Sequence, residues 1–301
     1  MDLNGDGHLD VLSGSYYDSF EDEETIYAGL FQVLWGQADG SFKKAEPLRG
    51  TNDKPLIVVL NQSSAGEDDD EGETDIEAAY CTRPLAADWD GDGDLDLIVG
   101  DSPGNFYLFT GEGEGKFQPE ATQLMASAEP LSVARKADPF VVDWDGDGDL
   151  DLVSGASPGG VYLAENTAGS GKPPVLKQFV TLIEPGTMVG YSDLLQERDL
   201  AGPVRSTRVW VEDVDNDGKL DILLGDDMYL WEPTEGHTAD DVSAQYATWR
   251  EATDEIQARV NDVDSDEEVA KLLKEIEKLE DDRSKVMTRV GVGFVWLYRQ
   301  K

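Results

Sequence analysis

The sequence contains few of the residues on which most catalytic sites depend. Its 301 residues include one cysteine, Cys81, and two histidines, His8 and His237. A single cysteine excludes an intramolecular disulfide framework, and no Ser-His-Asp or Cys-His set can be built persuasively from these residues. No catalytic constellation is recognisable, and we predict that the chain is not an enzyme.

Positive charge is also scarce. Lysine and arginine total 24 against 64 aspartates and glutamates, which gives a formal net charge of -40 and a pI near 4.1. A polyanion of this size repels nucleic acids and anionic membrane surfaces, so we expect neither as a partner. No apolar run approaches the roughly 20 residues that span a bilayer, and direct membrane insertion is not expected. Cations are the natural counterpart of this charge.

The aspartates follow a strict repeat. Four nine-residue segments align without gaps, with Asp or Asn at positions 1, 3, 5 and 9, Gly at position 6 and Leu at position 8: residues 2–10, 88–96, 143–151 and 213–221. A short apolar run that ends in glycine follows each segment, and another apolar run precedes three of them. Such runs are too short for helices and predict buried β-strands.

The residues beyond these strands complete a four-stranded unit. A compact Ser-Pro-Gly turn at 102–104 or 157–159 predicts a hairpin, and an aromatic third strand and a fourth strand follow it. A sheet of this kind cannot bury both faces alone, and stacking the repeats as blades solves that problem. We therefore predict an all-β fold, a β-propeller of four-stranded blades with metal-binding loops, over residues 1–236.

Helical periodicity interrupts the last repeat. Residues 237–286 carry apolar stripes at helical spacing, and Thr238 and Ser265 stand where capping boxes begin helices. We predict an inserted α-helical hairpin, joined near residues 261–264, and a final propeller strand within 287–301.

The first repeat begins at the start of the sequence. Asp2, directly after Met1, is already the first residue of a nine-residue segment, whereas strand-like sequence precedes the equivalent aspartate in the other three copies. No signal peptide is present. We infer that the N-terminus is truncated, so the missing signal is only weak evidence against secretion.

The spacing of the repeat suits Ca²⁺. Residues 1, 3 and 5 can point inward together, Gly at position 6 permits a sharp turn, the carbonyl of residue 7 can face the ion, and the aspartate at position 9 closes the cage. Ca²⁺ takes about 6–8 oxygen ligands in flexible geometry, whereas Mg²⁺ demands tight octahedral geometry, and Zn²⁺ is disfavoured without His and Cys ligands. The alternative interpretation is that the segments are polar Asp-Gly turns that bind no metal, and four in-phase copies argue against it. An EF-hand is excluded because its twelfth position requires Glu and is here Ser13, Val99, Ser154 or Leu224.

These loops and their glycine-ended strands resemble FG-GAP/VCBS repeats, the units of integrin α-like β-propellers and of many secreted bacterial proteins. The resemblance covers most of residues 1–236 and the final strand, and it implies about four Ca²⁺ ions, each at the turn between the first two strands of a repeat. It also implies an extracellular or cell-surface location, with the periplasm as the alternative, and a role in adhesion or ligand binding. Integrin-like propellers usually have seven blades, whereas four repeats are visible here, and the helical hairpin is not part of the family pattern.

The resemblance assigns the calcium ligands to individual residues. The side-chain ligands that it implies are Asp2, Asn4, Asp6, Asp10, Asp88, Asp90, Asp92, Asp96, Asp143, Asp145, Asp147, Asp151, Asp213, Asp215, Asp217 and Asp221. The backbone-carbonyl ligands are His8, Asp94, Asp149 and Lys219. For a larger ligand the best candidate is the segment 15–24, because it falls where a blade loop would emerge.

Two functions from different classes follow. The first is a binding or adhesion module for a protein or polysaccharide, in which the calcium ions are structural and a partner docks on the helical hairpin. The second is a carbohydrate-active enzyme (lyase or hydrolase), or its accessory domain, which rests on fold analogy alone. A cluster of carboxylates, arginines and aromatic residues away from the calcium loops would favour the second.

Overall fold

A computed structural model describes the chain apart from residues 15–19, 23–24, 28–29, 65–73, 158, 187–193, 195, 262 and 264. The fold is mostly β, with about 35% of residues in strands and 17% in helices, which confirms the predicted combination of sheets with two helices. The chain divides into two compact units, which are described separately. The first comprises Met1–Gly186, Pro203–Asp226 and Val295–Lys301, and the second comprises Thr187–Gly202 and Asp227–Phe294.

The strands are short except for the last two. In chain order they are β1 (Val11–Ser13), β2 (Phe20–Asp22), β3 (Thr25–Tyr27), β4 (Gln32–Leu34), β5 (Glu46–Pro47), β6 (Val59–Ser64), β7 (Thr74–Ala78), β8 (Arg83–Ala87), β9 (Asp96–Gly100), β10 (Phe106–Phe109), β11 (Thr122–Gln123), β12 (Met125–Ala126), β13 (Glu129–Pro130), β14 (Asp138–Val142), β15 (Asp151–Gly155), β16 (Val161–Ala164), β17 (Val180–Ile183), β18 (Arg208–Glu212), β19 (Asp221–Pro233) and β20 (Met287–Tyr298). The helices are α1 (Ala239–Asn261) and α2 (Asp266–Ser284), and Glu197–Asp199 forms one 3-10 turn.

Four antiparallel sheets follow one another along the chain. Their strand orders are β1-β4-β5, β8-β9-β10-β11, β14-β15-β16-β17 and β18-β19-β20. The two-stranded hairpins β6-β7 and β12-β13 lie between successive sheets in sequence, and the hairpin β2-β3 lies between β1 and β4 of the first sheet. The second and third sheets have the four-stranded up-and-down order that the sequence predicts. We number these the first to fourth sheets.

Three hydrophobic clusters fill the spaces between successive sheets. Their central members are Phe31 with Leu97 and Val99, then Ile98 with Leu152, and then Val153 with Val209. Side chains of β9 therefore alternate, with Leu97 and Val99 facing the first sheet and Ile98 facing the third. Because both faces of the second and third sheets are covered, all five residues of β9 and of β15 are buried. Each sheet thus obtains from its neighbours the burial that it cannot provide alone.

The second unit contains both helices and the adjoining parts of β19 and β20. Trp231, Val242 and Met287 form its buried core. The capping box predicted at Thr238 is present, because the Thr238 hydroxyl accepts the Asp241 N–H at 3.2 Å and the Asp241 carboxylate accepts the Thr238 N–H at 2.8 Å. At α2, Ser265 takes the N-cap position but its hydroxyl makes no capping hydrogen bond, so that prediction was wrong in its chemistry. Neither described helix has the length and apolar character needed to cross a bilayer.

Candidate metal centres

The four aspartate segments form loops, of which three lead into the second strand of a sheet and the first leads into β1. We call them loop 1 (2–10), loop 2 (88–96), loop 3 (143–151) and loop 4 (213–221). Loops 2 to 4 connect β8 to β9, β14 to β15 and β18 to β19, and loop 1 leads into β1. Each of these three strand pairs is antiparallel and in direct register up to the loop, so the loop is a tight turn between two strands.

Two positions of every loop lie in the left-handed backbone region. Position 6 is glycine throughout, with φ between 87° and 99°. Position 4 has φ between 58° and 79° and is occupied by Gly5, Gly91, Gly146 or Asn216. Asparagine is among the few residues that adopt this conformation at low cost. Position 4 was not singled out from the sequence, although its Gly-Gly-Gly-Asn pattern is visible there.

Three loops bring carboxylates together closely enough to share one ion. One oxygen from each of three aspartates lies within 4.8 Å of the others in the groups Asp88-Asp90-Asp92, Asp143-Asp145-Asp151 and Asp213-Asp215-Asp221. Ca²⁺ binds oxygens at about 2.3–2.6 Å, so two of its ligands can lie up to about 5 Å apart across the ion. These groups therefore have the spacing of a calcium site. In loop 1 position 3 is Asn4, and no carboxylate triad was found there among the described residues.

Some carboxylate oxygens in these loops are buried without a partner. Among the described residues, Asp88 Oδ1, Asp149 Oδ1 and Asp221 Oδ2 are inaccessible to solvent and accept no hydrogen bond. A buried charged oxygen without a partner is costly. Asp88 and Asp221 each belong to a triad, so a cation in the triad would supply what they lack. The donor set, made of oxygens alone, fits Ca²⁺.

The aspartate at position 9 fastens the loop to two other segments. Its Oδ2 accepts the N–H of the residue at position 2 in loops 1 to 3, at 2.8–3.0 Å. Its Oδ1 accepts an N–H two residues beyond the end of the third strand, from Gly36, Gly111, Asn166 or Gln300, at 2.7–3.1 Å. The sequence predicted only that this residue closes the metal cage. The structure shows that in all four loops it also binds the chain just beyond the strand that pairs with the strand following the loop.

Burial and mutual repulsion disfavour the ionised loops in the absence of a cation. Burial raises the pKa of Asp96 and of Asp151 above the ordinary value, while backbone N–H groups act in the opposite direction. The nearby Asp90 and Asp145 raise these two pKa values further. A divalent ion would remove this cost because it offsets both the desolvation and the repulsion.

The residues at position 7 share one contact. The backbone N–H groups of His8, Asp94, Asp149 and Lys219 each donate to the carboxylate at position 5, at 2.9–3.1 Å. That these four residues bind Ca²⁺ through their backbone carbonyls stays a prediction. The segment 15–24 lies mostly outside the described residues, so its predicted ligand contact is also untested.

Among the described residues, loop 4 is the loop in which a carboxylate forms an ion pair with a basic side chain. Arg299 Nη1 lies 3.3 Å from Asp215 Oδ2, the carboxylate at position 3. This ion pair competes with a bound cation for the same oxygen. We therefore expect loop 4 to be the weakest of the three triad sites.

A second charged cluster lies at the other end of the first strands. Arg83, Asp138 and Arg208 begin β8, β14 and β18, each five residues before its loop. Arg208 Nη1 and Arg83 Nη1 lie 3.0 and 3.7 Å from Asp138 Oδ1, and the Val209 N–H donates to Asp138 Oδ2 at 2.9 Å. Burial raises the pKa of Asp138, and the two guanidinium groups oppose that shift.

Comparison with known proteins places the loops in a family. Residues 88–154 and 143–224 match the model of the FG-GAP-like repeat. These two matches contain loops 2, 3 and 4, so this part of the chain consists of FG-GAP-like repeats, as its loops and glycine-ended strands predicted. No match was found among curated proteins.

Proposed function

We propose that this chain is a calcium-binding β-propeller-type module of the cell exterior that binds a protein or polysaccharide partner. In this proposal the calcium ions are structural. The observation that carries it is the set of three aspartate triads, whose oxygens lie within 4.8 Å of one another at equivalent turns.

The position of the triads supports a structural role for the ions. Every triad is built from one nine-residue loop, and that loop joins the first two strands of a sheet. The aspartate at position 9 is buried in all four loops and is already hydrogen-bonded to the third strand's end. An ion bound here would stiffen the joint between strands rather than meet a substrate.

Two further features support the propeller arrangement and the external location. The sheets stack face to face with a hydrophobic cluster between each pair, which is how neighbouring blades pack in a propeller. FG-GAP-like repeats are typical of extracellular proteins, and a net charge of -40 favours the binding of cations. The helical hairpin is a candidate surface for the partner, because Leu273 on α2 is an exposed apolar side chain.

Calorimetric titration with Ca²⁺ and thermal melts in EDTA test the calcium proposal. We expect at least three sites, and a stabilisation of about 2.7 kcal/mol when free Ca²⁺ is 100 times the Kd. Asp90→Asn and Asp145→Asn should each remove or weaken one site without lowering the melting temperature in EDTA. Glu129→Gln, an exposed glutamate outside the loops, is the matched control. Absence of heat, or identical melts with EDTA and Ca²⁺, would refute the proposal.

A carbohydrate-active enzyme is the second candidate, and one observation favours it. The Arg83-Asp138-Arg208 cluster lies away from the metal loops, and Phe140 and Trp210 stack edge to face nearby with ring centroids 5.2 Å apart. Asp138, however, already forms ion pairs with both arginines and accepts a hydrogen bond from a backbone N–H. Glycoside hydrolysis needs a pair of free carboxylates. Product release from a panel of acidic and neutral polysaccharides, abolished by Asp138→Asn, would establish the enzyme.

A further inference from the structure

Two glycine-rich turns connect the third and fourth strands of the second and third sheets. We call them turn 2 (113–115, between β10 and β11) and turn 3 (169–171, between β16 and β17). Both have the sequence Gly-X-Gly followed by lysine. The glycines of both turns lie in the left-handed backbone region, with φ between 67° and 82°, which glycine adopts without steric cost. The two turns are therefore equivalent parts of successive repeats.

Turn 3 is fastened to loop 3 of its own repeat. The Gly169 N–H donates to Asp149 Oδ2 at 2.6 Å. Asp149 is position 7 of loop 3, and its own N–H donates to the carboxylate of Asp147, at position 5, at 3.1 Å. The Asp149 side chain is buried, with an exposed fraction of 7%, so water does not compete strongly for these bonds. An ion that orders loop 3 would therefore also order turn 3.

Turn 3 also lies against loop 2, which belongs to the preceding repeat. A Cβ added at Gly91 would lie 2.8 Å from the Cα of Gly171, so the two backbones meet at van der Waals distance. Gly91 lies between Asp90 and Asp92, two members of the loop 2 triad. Among the described residues, nothing lies within 4 Å of a Cβ added at the equivalent Gly146 of loop 3. Turn 3 thus contacts the metal-binding part of loop 2.

Turn 2 repeats this arrangement between loop 2 and loop 1. A Cβ added at Gly113 would lie 3.0 Å from Oδ1 of Asp94, which is position 7 of loop 2. A Cβ added at Gly115 would lie 3.4 Å from the Cβ of Asn4, which is position 3 of loop 1. Each turn therefore touches position 7 of its own loop and the metal-binding part of the loop before it. Because two pairs of repeats share this contact, it is a property of the repeat.

A turn that contacts two loops can couple the binding of two ions. Without a cation the carboxylates of each loop repel one another, so neither loop holds the turn between them firmly. An ion in one loop orders the turn, and a second ion then has less ordering left to impose on the other loop. Such coupling between two sites is reciprocal, because each ion must change the affinity for the other by the same factor.

We propose that loops 2 and 3 bind Ca²⁺ cooperatively and that turn 3 couples them. Asp149 is the positioning residue, because its carboxylate joins turn 3 to loop 3. This inference rests on the calcium-binding function proposed above, since it concerns the occupancy of the same loops. If turn 3 only packed neighbouring repeats together, the two loops would bind Ca²⁺ independently.

Calcium titration of the isotope-labelled full chain, followed by NMR, measures the two sites separately. The backbone amide resonances of Gly91 and Gly93 report on loop 2, and those of Gly146 and Gly148 report on loop 3. The dispersion of the amide resonances also verifies that each variant is folded.

Removing one site should weaken the other. Asp145→Asn disables loop 3 and should raise the Kd of loop 2 by about fivefold or more, and Asp90→Asn should raise the Kd of loop 3 by the same factor. Asp213→Asn, which disables loop 4, is the matched control and should leave the Kd of loop 2 unchanged. Independent binding at loops 2 and 3, or an equal effect of Asp213→Asn, would overturn the coupling.

Variants of Asp149 separate coupling through turn 3 from the simple loss of a negative charge. In an Asp149→Ala background, Asp145→Asn should no longer change the Kd of loop 2, whereas an effect of charge alone would persist. Asp149→Asn keeps an oxygen that accepts the Gly169 N–H and should retain the coupling. Coupling that survives Asp149→Ala would refute the role of turn 3. If neither loop responded to Ca²⁺, the calcium proposal itself would be refuted, whereas independent binding at both loops contradicts the coupling alone.

Discussion

The glycine four residues after position 9 of loops 1 to 3 is required by a steric contact rather than by its backbone conformation. Gly155 lies in β15 with an ordinary extended backbone, yet an added Cβ would lie 2.4 Å from the Thr207 carbonyl oxygen. Since that oxygen belongs to backbone, it cannot swing aside as a flexible side chain could. The glycine therefore sets how closely two successive sheets approach.

Gly155→Ala should destabilise the chain by about 2–3 kcal/mol, because the two sheets must separate to admit the methyl group. Gly225→Ala is the matched control, with no atom nearer than 3.8 Å, and should change the free energy of unfolding by less than about 0.5 kcal/mol. Urea unfolding of the dilute protein measures both. Equal effects of the two substitutions would show that the close approach is not what requires glycine.

The sequence predicts some residues of the metal loops well and others poorly. Positions 1 and 3 follow from spacing alone, because alternate residues of a tight loop share one side, and all three triads contain them. Position 5 completes one triad, and position 9 completes the other two. The hydrogen bond that Asp96 accepts from outside its loop could not be predicted in this way. Its partner, the N–H of Gly111, lies 15 residues further along the chain, and only the folded sheet brings the two together.

At the scale of elements, the helical hairpin is organised around one arginine. The guanidinium carbon of Arg283 in α2 lies 4.8 Å from the ring centroid of Trp231 and 5.0 Å from that of Trp249. Trp231 and Trp249 themselves are 4% and 8% exposed. Cation–π contacts with a partly desolvated arginine are worth about 1–2 kcal/mol, so Arg283 joins α2 to the aromatic core of the second unit.

Arg283→Ala should therefore lower the stability of the helical unit by about 1–2 kcal/mol through the loss of both ring contacts. Arg259→Ala is the control, because Arg259 is exposed and forms an ion pair with Glu275 at 3.5 Å. Exposed pairs of this kind contribute about 0–1 kcal/mol. Far-UV circular dichroism during thermal unfolding measures the helical signal. If Arg259→Ala lowered the stability of the helical unit as much as Arg283→Ala does, the role assigned to Arg283 would be contradicted.

The helices themselves were predictable, but what they pack against was not. A period of 3.6 in the apolar residues places α1 and α2 within the predicted segment 237–286. The stacking of Arg283 on Trp231 depends instead on a strand that precedes both helices. Periodicity predicts which side of a helix is buried, but it does not predict which strand or helix packs against that side.

At the scale of the whole molecule, the repeat determines the stacking of sheets but not their closure. Each internal interface is specified by local residues, such as the glycine at a strand end and the apolar residue at position 2 of a loop. Closure depends on whether the last face meets the first. A sequence period can therefore predict the blade and its neighbour while leaving the number of blades undetermined.

Because the chain carries a charge of -40, added cations should raise its melting temperature in two ways, by screening repulsion and by binding to the aspartate loops. Monovalent salt should raise the melting temperature in EDTA, because the Debye length falls from about 30 Å at 0.01 M to about 8 Å at 0.15 M and repulsion within the chain is screened. Ca²⁺ at about 1 mM should raise it further even in 0.15 M NaCl, since ions coordinated by the triads act by mass action on the native state. Mg²⁺ at the same concentration should have a smaller effect, because its octahedral geometry is more demanding. If NaCl abolished the increment due to Ca²⁺, or if Mg²⁺ matched it, the divalent effect would be screening and not coordination by the aspartate loops.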